Sequence, residues 1–74
     1  MGKGTRKLSN KLRALRQSHG GLTQQELANM VGVTRQTVIA IEANKYSPSL
    51  EVAFMISVAL GVRIDDVFSY DRSD

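Results

Sequence analysis

The sequence predicts an all-α domain of four helices and a short fifth turn. Three observations predict it. Apolar residues recur at helical spacing in four separate stretches, hydroxyl residues able to cap helix starts alternate with glycine or asparagine stops, and no alternating run is long enough for a convincing strand. A chain of 74 residues suits one domain, so no ligand-sensing or catalytic domain of ordinary size is expected beside it. A basic arm over residues 1–8, a folded unit over 9–70 and a disordered tail over 71–74 are the expected divisions.

Leu8, Leu12 and Leu15, with Lys11, Arg13, Arg16 and Gln17 among them, predict an amphipathic helix over Ser9–Ser18 with a basic outer face. Gly20 and Gly21 end it. Thr23 and Glu26 stand three apart, as a capping box requires, and start a second helix that carries Leu27, Ala28 and Val31 inward and stops at Gly32. Thr34 caps a third helix over Arg35–Ala43, with Val38 and Ile41 facing the core. Asn44 ends it, since asparagine tolerates positive φ. A fourth helix opens at Pro48-Ser49, capped by Ser47 or Ser49, and runs to Leu60 before Gly61. Ile64–Phe68 forms the fifth turn, where Asp65 and Asp66 suit a helix N-terminus.

The net charge of +3 is unevenly placed. Lys3, Arg6, Lys7, Lys11, Arg13 and Arg16 put six positive and no negative charges into the first sixteen residues, while the last thirteen carry about minus two. A basic end favours a polyanion through counterion release. The absence of cysteine excludes disulfides and thiolate metal sites and suits a reducing cytoplasm. No stretch reaches the roughly 20 apolar residues of a membrane helix. Catalysis is not expected, because His19 stands in a glycine-rich turn with no nucleophile, base and orienting acid in view. No metal or cofactor is expected either, since Asp65-Asp66 are explained by the helix dipole.

The informative unit is about Thr23–Asn44: a short capped helix, a tight Gly32-Val33 turn and a second capped helix rich in hydrogen-bonding side chains. That is a helix-turn-helix pattern, in which Ala28 is small enough for two steeply crossing helices to meet. Leu22-Thr23-Gln24-Gln25-Glu26-Leu27-Ala28, Gly32-Val33-Thr34-Arg35-Gln36-Thr37-Val38, Ile41-Glu42 and Tyr46-Ser47-Pro48-Ser49-Leu50 follow in order. Over about Asn10 to Phe68 the chain resembles the Cro/repressor (Xre-like) family of bacterial, archaeal and phage regulators. The resemblance implies a compact five-helix lambda-repressor-like DNA-binding domain. It also implies a third helix lying in the major groove of double-stranded DNA and a two-fold homodimer on a palindromic operator.

On that expectation Arg35 and Gln36 read base edges, arginine pairing with guanine and glutamine with adenine. Thr37 lies beside them, and Ala40 offers apolar contact to a thymine methyl. Gln24, at the start of the second helix, matches the family glutamine that touches the DNA backbone. Thr34, Asn44, Lys45 and Tyr46 are further candidates for phosphate contact by their positions, although Thr34 and Asn44 also cap and stop the helix. Arg16 and Glu42 resemble a family ion pair joining the first helix to the end of the third. The chain departs from the family pattern in an extra residue at Gly20-Gly21, in Asn44 where glycine is frequent, and in Arg63 where a serine cap is usual.

The fourth helix is apolar around far more than the ~100° stripe that one buried face needs. A homodimer contact is therefore expected from Val52, Met55 and Val58 together with Val67, Phe68 and Tyr70. The rival occupant of that surface is a second protein, such as a toxin, which would make the chain an antitoxin or adaptor. RNA binding is disfavoured by the narrow A-form major groove and the lack of an aromatic sheet, and no membrane partner is expected.

Overall fold

The computed structural model describes residues 8–71, so the basic residues before Leu8 and the last three residues lie outside it. The chain runs β1 (Leu8–Asn10), α1 (Leu12–Ser18), α2 (Gln24–Val31), α3 (Arg35–Glu42), α4 (Leu50–Leu60), α5 (Ile64–Val67) and β2 (Phe68–Tyr70). The five expected helices are present. The all-α expectation needs one correction: β1 and β2 pair antiparallel, Leu8 opposite Tyr70 and Asn10 opposite Phe68.

That ribbon also corrects the predicted start of the first helix, because Ser9 and Asn10 are strand and helix begins only at Leu12. Asn10 causes the change. Its Oδ1 accepts from the Leu12 N–H at 3.1 Å, while its Nδ2 donates to the Ile41 carbonyl at 2.9 Å. The Lys11 N–H donates to the Val67 carbonyl at 2.8 Å. These bonds give residues 8–11 partners that a longer α1 would have had to forgo. Leu8, expected as the last residue of the arm, belongs to the fold.

The remaining boundaries follow the caps. Thr23 Oγ1 accepts from the Glu26 N–H at 3.0 Å and Glu26 Oε1 accepts from the Thr23 N–H at 2.9 Å, a complete capping box. Thr34 caps α3 and Ser49 caps α4 through the Thr37 and Val52 N–H groups, which decides between the two serines and leaves Pro48 just ahead of the cap. Arg63 supplies no side-chain cap, yet α5 starts soundly because Asp66 Oδ2 accepts from the Arg63 N–H at 3.0 Å.

The corner between α2 and α3 turns on Gly32, whose φ of +83° lets both its own N–H and that of Val33 donate to the Ala28 carbonyl, at 2.8 and 3.0 Å. A Cβ there would meet nothing within 4 Å, so only the backbone conformation penalises a side chain. Gly32→Ala is therefore expected to cost about 1 to 2 kcal/mol, seen as a lowering of the thermal midpoint by roughly 4 to 16 °C. A loss as large as that of a core truncation would show that the corner is crowded.

Leu12, Leu27, Val38, Ile41, Ile56 and Val67 are fully buried, so every helix places at least one side chain in a single core. Ala28, with no exposed surface, is part of the core, and its carbonyl accepts the two bonds of the corner. Among the described residues no helix is long and apolar enough to cross a membrane.

Candidate nucleic-acid interface

Burial around α3 leaves one stripe open. Val38 and Ile41 point into the core, Thr37 is half-buried, and Arg35 and Gln36 in the first turn are exposed. Ile39 and Ala40 are half-buried and follow Arg35 and Gln36 at i+4, so the four form one outward strip. Ile39 was not expected as a contact. Its place on that strip gives the helix an apolar surface beside two long hydrogen-bonding side chains. The Thr37 hydroxyl lies 3.0 Å from the Thr34 hydroxyl, so it reinforces the cap as well as bordering the strip.

Behind Arg35 an open polar recess of about 610 Å³ lies between α1 and the start of α2. Arg13 and Gln17 of α1 form one wall, Gln24, Gln25 and Arg35 the other. Arg13 and Gln17 were not singled out from sequence. The available signal was their i, i+4 spacing on the basic face of α1. At the start of α2 the first intrahelical bond runs from the Leu27 N–H to the Thr23 carbonyl, so the amides of Gln24 and Gln25 precede the ladder, as at any helix N-terminus.

At the back of the recess the Glu42 carboxylate holds three donors. Arg16 Nε donates to Oε2 at 2.7 Å, Arg16 Nη2 to Oε1 at 3.2 Å, and Gln24 Nε2 to the same Oε1 at 3.1 Å. Arg16 Nη1 donates onward to the Leu22 carbonyl at 2.9 Å. The Arg16 and Glu42 side chains are only 10 % and 7 % exposed, so the ion pair expected between them is present and well shielded. It ties α1, the turn before α2 and the end of α3 into one rigid corner. The Gln24 side chain is thus a strut to Glu42, and the residue also lines the recess.

Asn44 takes φ +62°, the left-handed stop expected of it. Its Nδ2 donates to the Leu8 carbonyl at 2.7 Å, which uses one of its two amide hydrogens. Lys45 and Tyr46 are exposed.

A family model described as helix-turn-helix matches residues 12–67. The chain belongs to the Xre-like helix-turn-helix family. It is thus a DNA-binding transcriptional regulator, in a family of regulators rather than enzymes. An uncharacterized HTH-type transcriptional regulator of Methanocaldococcus jannaschii is 52% identical over 67 residues, covering 90% of this chain and all of that one. The uncharacterized HTH-type transcriptional regulator YgzD of Bacillus subtilis is 46% identical over 61 residues, 82% of this chain and 91% of that one. Among solved structures, the restriction-modification controller protein C.AhdI from Aeromonas hydrophila superposes with a TM-score of 0.69 at 31% identity, over 74% of this chain and 82% of that one. The clp gene regulator ClgR from Corynebacterium glutamicum gives 0.70 at 29% identity, over 74% and 57%.

In this Xre-like domain the surface expected to hold a second copy is only partly as drawn. Val67 is 1 % exposed and belongs to the core, because α5 is a single turn whose last side chain must close the bundle. Val52 and Phe68 are half-buried against that core. Met55 and Tyr70 remain exposed, and Val58 is 78 % exposed. Phe54, Leu50 and Met30 join them on the surface, with Met30, Phe54, Met55 and Val58 lining one shallow apolar groove.

Proposed function

We propose that this regulator represses transcription as a homodimer that reads a palindromic operator, with α3 in the major groove. The reading is carried by the strip of Arg35, Gln36, Ile39 and Ala40, flanked by the Arg13 and Gln17 wall. Arg35 takes guanine O6 and N7, Gln36 takes adenine, Ala40 meets a thymine methyl, and Thr37 borders the bases. The backbone is held by the amides at Gln24, by Thr34, and by Lys45 and Tyr46 in the loop. Half-site centres then lie about 10 base pairs apart or a multiple of that, and occupancy blocks the promoter in the cytoplasm, at the nucleoid. Selection of sites from random duplex DNA at two salt concentrations tests it. Enrichment of one inverted repeat supports a dimeric reader; salt-sensitive binding without a preferred sequence rejects it.

The second copy is assigned to the apolar face of α4, where Phe54, Met55 and Val58 are all exposed and no buried use is left for them. Val58→Glu is expected to leave the fold intact, halve the mass in solution and weaken binding to the full palindrome by about 100-fold or more, as linked half-sites lose their avidity. A second reading, an antitoxin or adaptor, draws on the same exposed face. Co-purification with a different chain, and a native mass of one copy plus that partner, would favour it.

A further inference from the structure

We infer that Ile39 determines specificity by taking the C5 methyl of a pyrimidine in the major groove, so that thymine and 5-methylcytosine are accepted beneath it while uracil and cytosine bind less well. The inference rests on α3 lying in the major groove, as proposed above. The protein itself has no use for this side chain. Val38 and Ile41 enter the core, whereas Ile39 is only half-buried and is not among the side chains packed against that core, as Val33 just before the helix is. Nor does it line the apolar groove assigned to the second copy, which is built from α4 and Met30. Local preference does not explain it either, because a β-branched side chain is a poorer helix former than alanine or leucine. What remains is the outward strip, where Ile39 follows Arg35 by one turn and Ala40 follows Gln36.

The major groove presents hydrogen-bonding atoms at every base pair and a single apolar group, the C5 methyl of thymine. An isoleucine side chain can neither donate nor accept. Set over N4 of cytosine, or over O6 and N7 of guanine, it strips water from a polar atom and returns nothing. It therefore selects against those edges as well as for the methyl. Methylation of cytosine at C5 puts the same apolar group at the same place in the groove. A cytosine beneath Ile39 thus makes the affinity of this regulator depend on the methylation of its operator. Ile39 offers the larger apolar surface of the strip, since Ala40 has only one methyl to bury.

The test uses the full chain and the duplex that it selects from random DNA. Each thymine of one half-site, with its symmetry mate in the other, is replaced in turn by uracil, which removes the methyl and keeps every hydrogen-bonding group. One such pair is expected to weaken binding by the parent about 15-fold, a factor of about four per half-site for a buried methyl at ~0.8 kcal/mol. Ile39→Ala is expected to be indifferent to that pair while still sensing the thymine assigned to Ala40. Ile39→Val, which keeps the branched carbon, is expected to retain most of the penalty, and thermal melting confirms that both variants are folded. With C·G pairs at the same two positions, 5-methylation of the cytosines is expected to raise the affinity of the parent by a similar factor and that of Ile39→Ala not at all. A parent for which no uracil pair matters, or an Ile39→Ala variant that keeps every uracil penalty, overturns the inference and leaves the proposed function standing. A uracil penalty without a response to cytosine methylation overturns the dependence on methylation. A parent that selects no sequence rejects the proposed function itself, so the two failures are distinguishable.

Discussion

Glu42→Ala is expected to remove about 3 to 5 kcal/mol of folding stability, the range for stripping one partner from a buried ion pair. The substitution takes away the acceptor of Arg16 Nε, Arg16 Nη2 and Gln24 Nε2 together, leaving a shielded guanidinium with the Leu22 carbonyl alone. A domain of this size holds only about 4 to 11 kcal/mol at roughly 0.05 to 0.15 kcal/mol per residue. Much of the population should then unfold at moderate temperature. Urea denaturation of the parent, Glu42→Ala and an Arg16→Met/Glu42→Met double variant measures it. The double variant should recover most of the loss, since an apolar pair of similar volume carries no stranded charge. A single-variant loss below about 1 kcal/mol would mean that water reaches the pair and that the corner is not held by it. No buried side-chain nitrogen or oxygen lacks a partner among the described residues, so the penalty is specific to breaking this network.

Arg35→Ala is expected to lose about 1 to 3 kcal/mol of discrimination at one base pair of each half-site, roughly 5- to 150-fold, with the preference at that position relaxed. Arg13→Ala gives the contrast. As a wall of the recess it should weaken all sequences alike and reduce the salt slope by about 0.9 per contact. Repeating the site selection with both variants separates the roles. A selected sequence unchanged by Arg35→Ala removes that residue from base reading, and altered specificity from Arg13→Ala would transfer the reading to α1.

What the sequence revealed was whatever is encoded within about four residues. The Thr23–Glu26 box, the Thr34 cap, the stop at Gly32 and the left-handed Asn44 each depend on neighbours in the chain, and each is where the residues indicated. The Arg16–Glu42 pair was legible only through family resemblance, because nothing local connects positions 26 apart. Strands of three residues carry no usable period, so the β1–β2 ribbon was silent, and with it the true start of α1. The bond from the Gln24 side chain to Glu42 was equally silent, because its partner arrives from another helix. In α4 the apolar residues surround the axis, so periodicity could not say which side faces outward. Packing turned Ala53, Ile56 and Leu60 inward and left Phe54 and Val58 outside, while Val67 passed from the expected interface to the core.

The ribbon pairs Leu8 with Tyr70 and links the Ser9 and Ser69 hydroxyls at 2.9 Å across 60 positions of sequence. Closing so large a loop adds little entropy cost over a shorter one, because that cost grows only with the logarithm of length. Yet the clasp cannot shut until the helices between its halves have packed. It is correspondingly the piece able to reopen alone, since three-residue strands bury little. Amide hydrogens of the ribbon should exchange with solvent ahead of those of Leu27 or Ile56, and each opening would briefly unmoor one end of the chain while the helix-turn-helix stays folded.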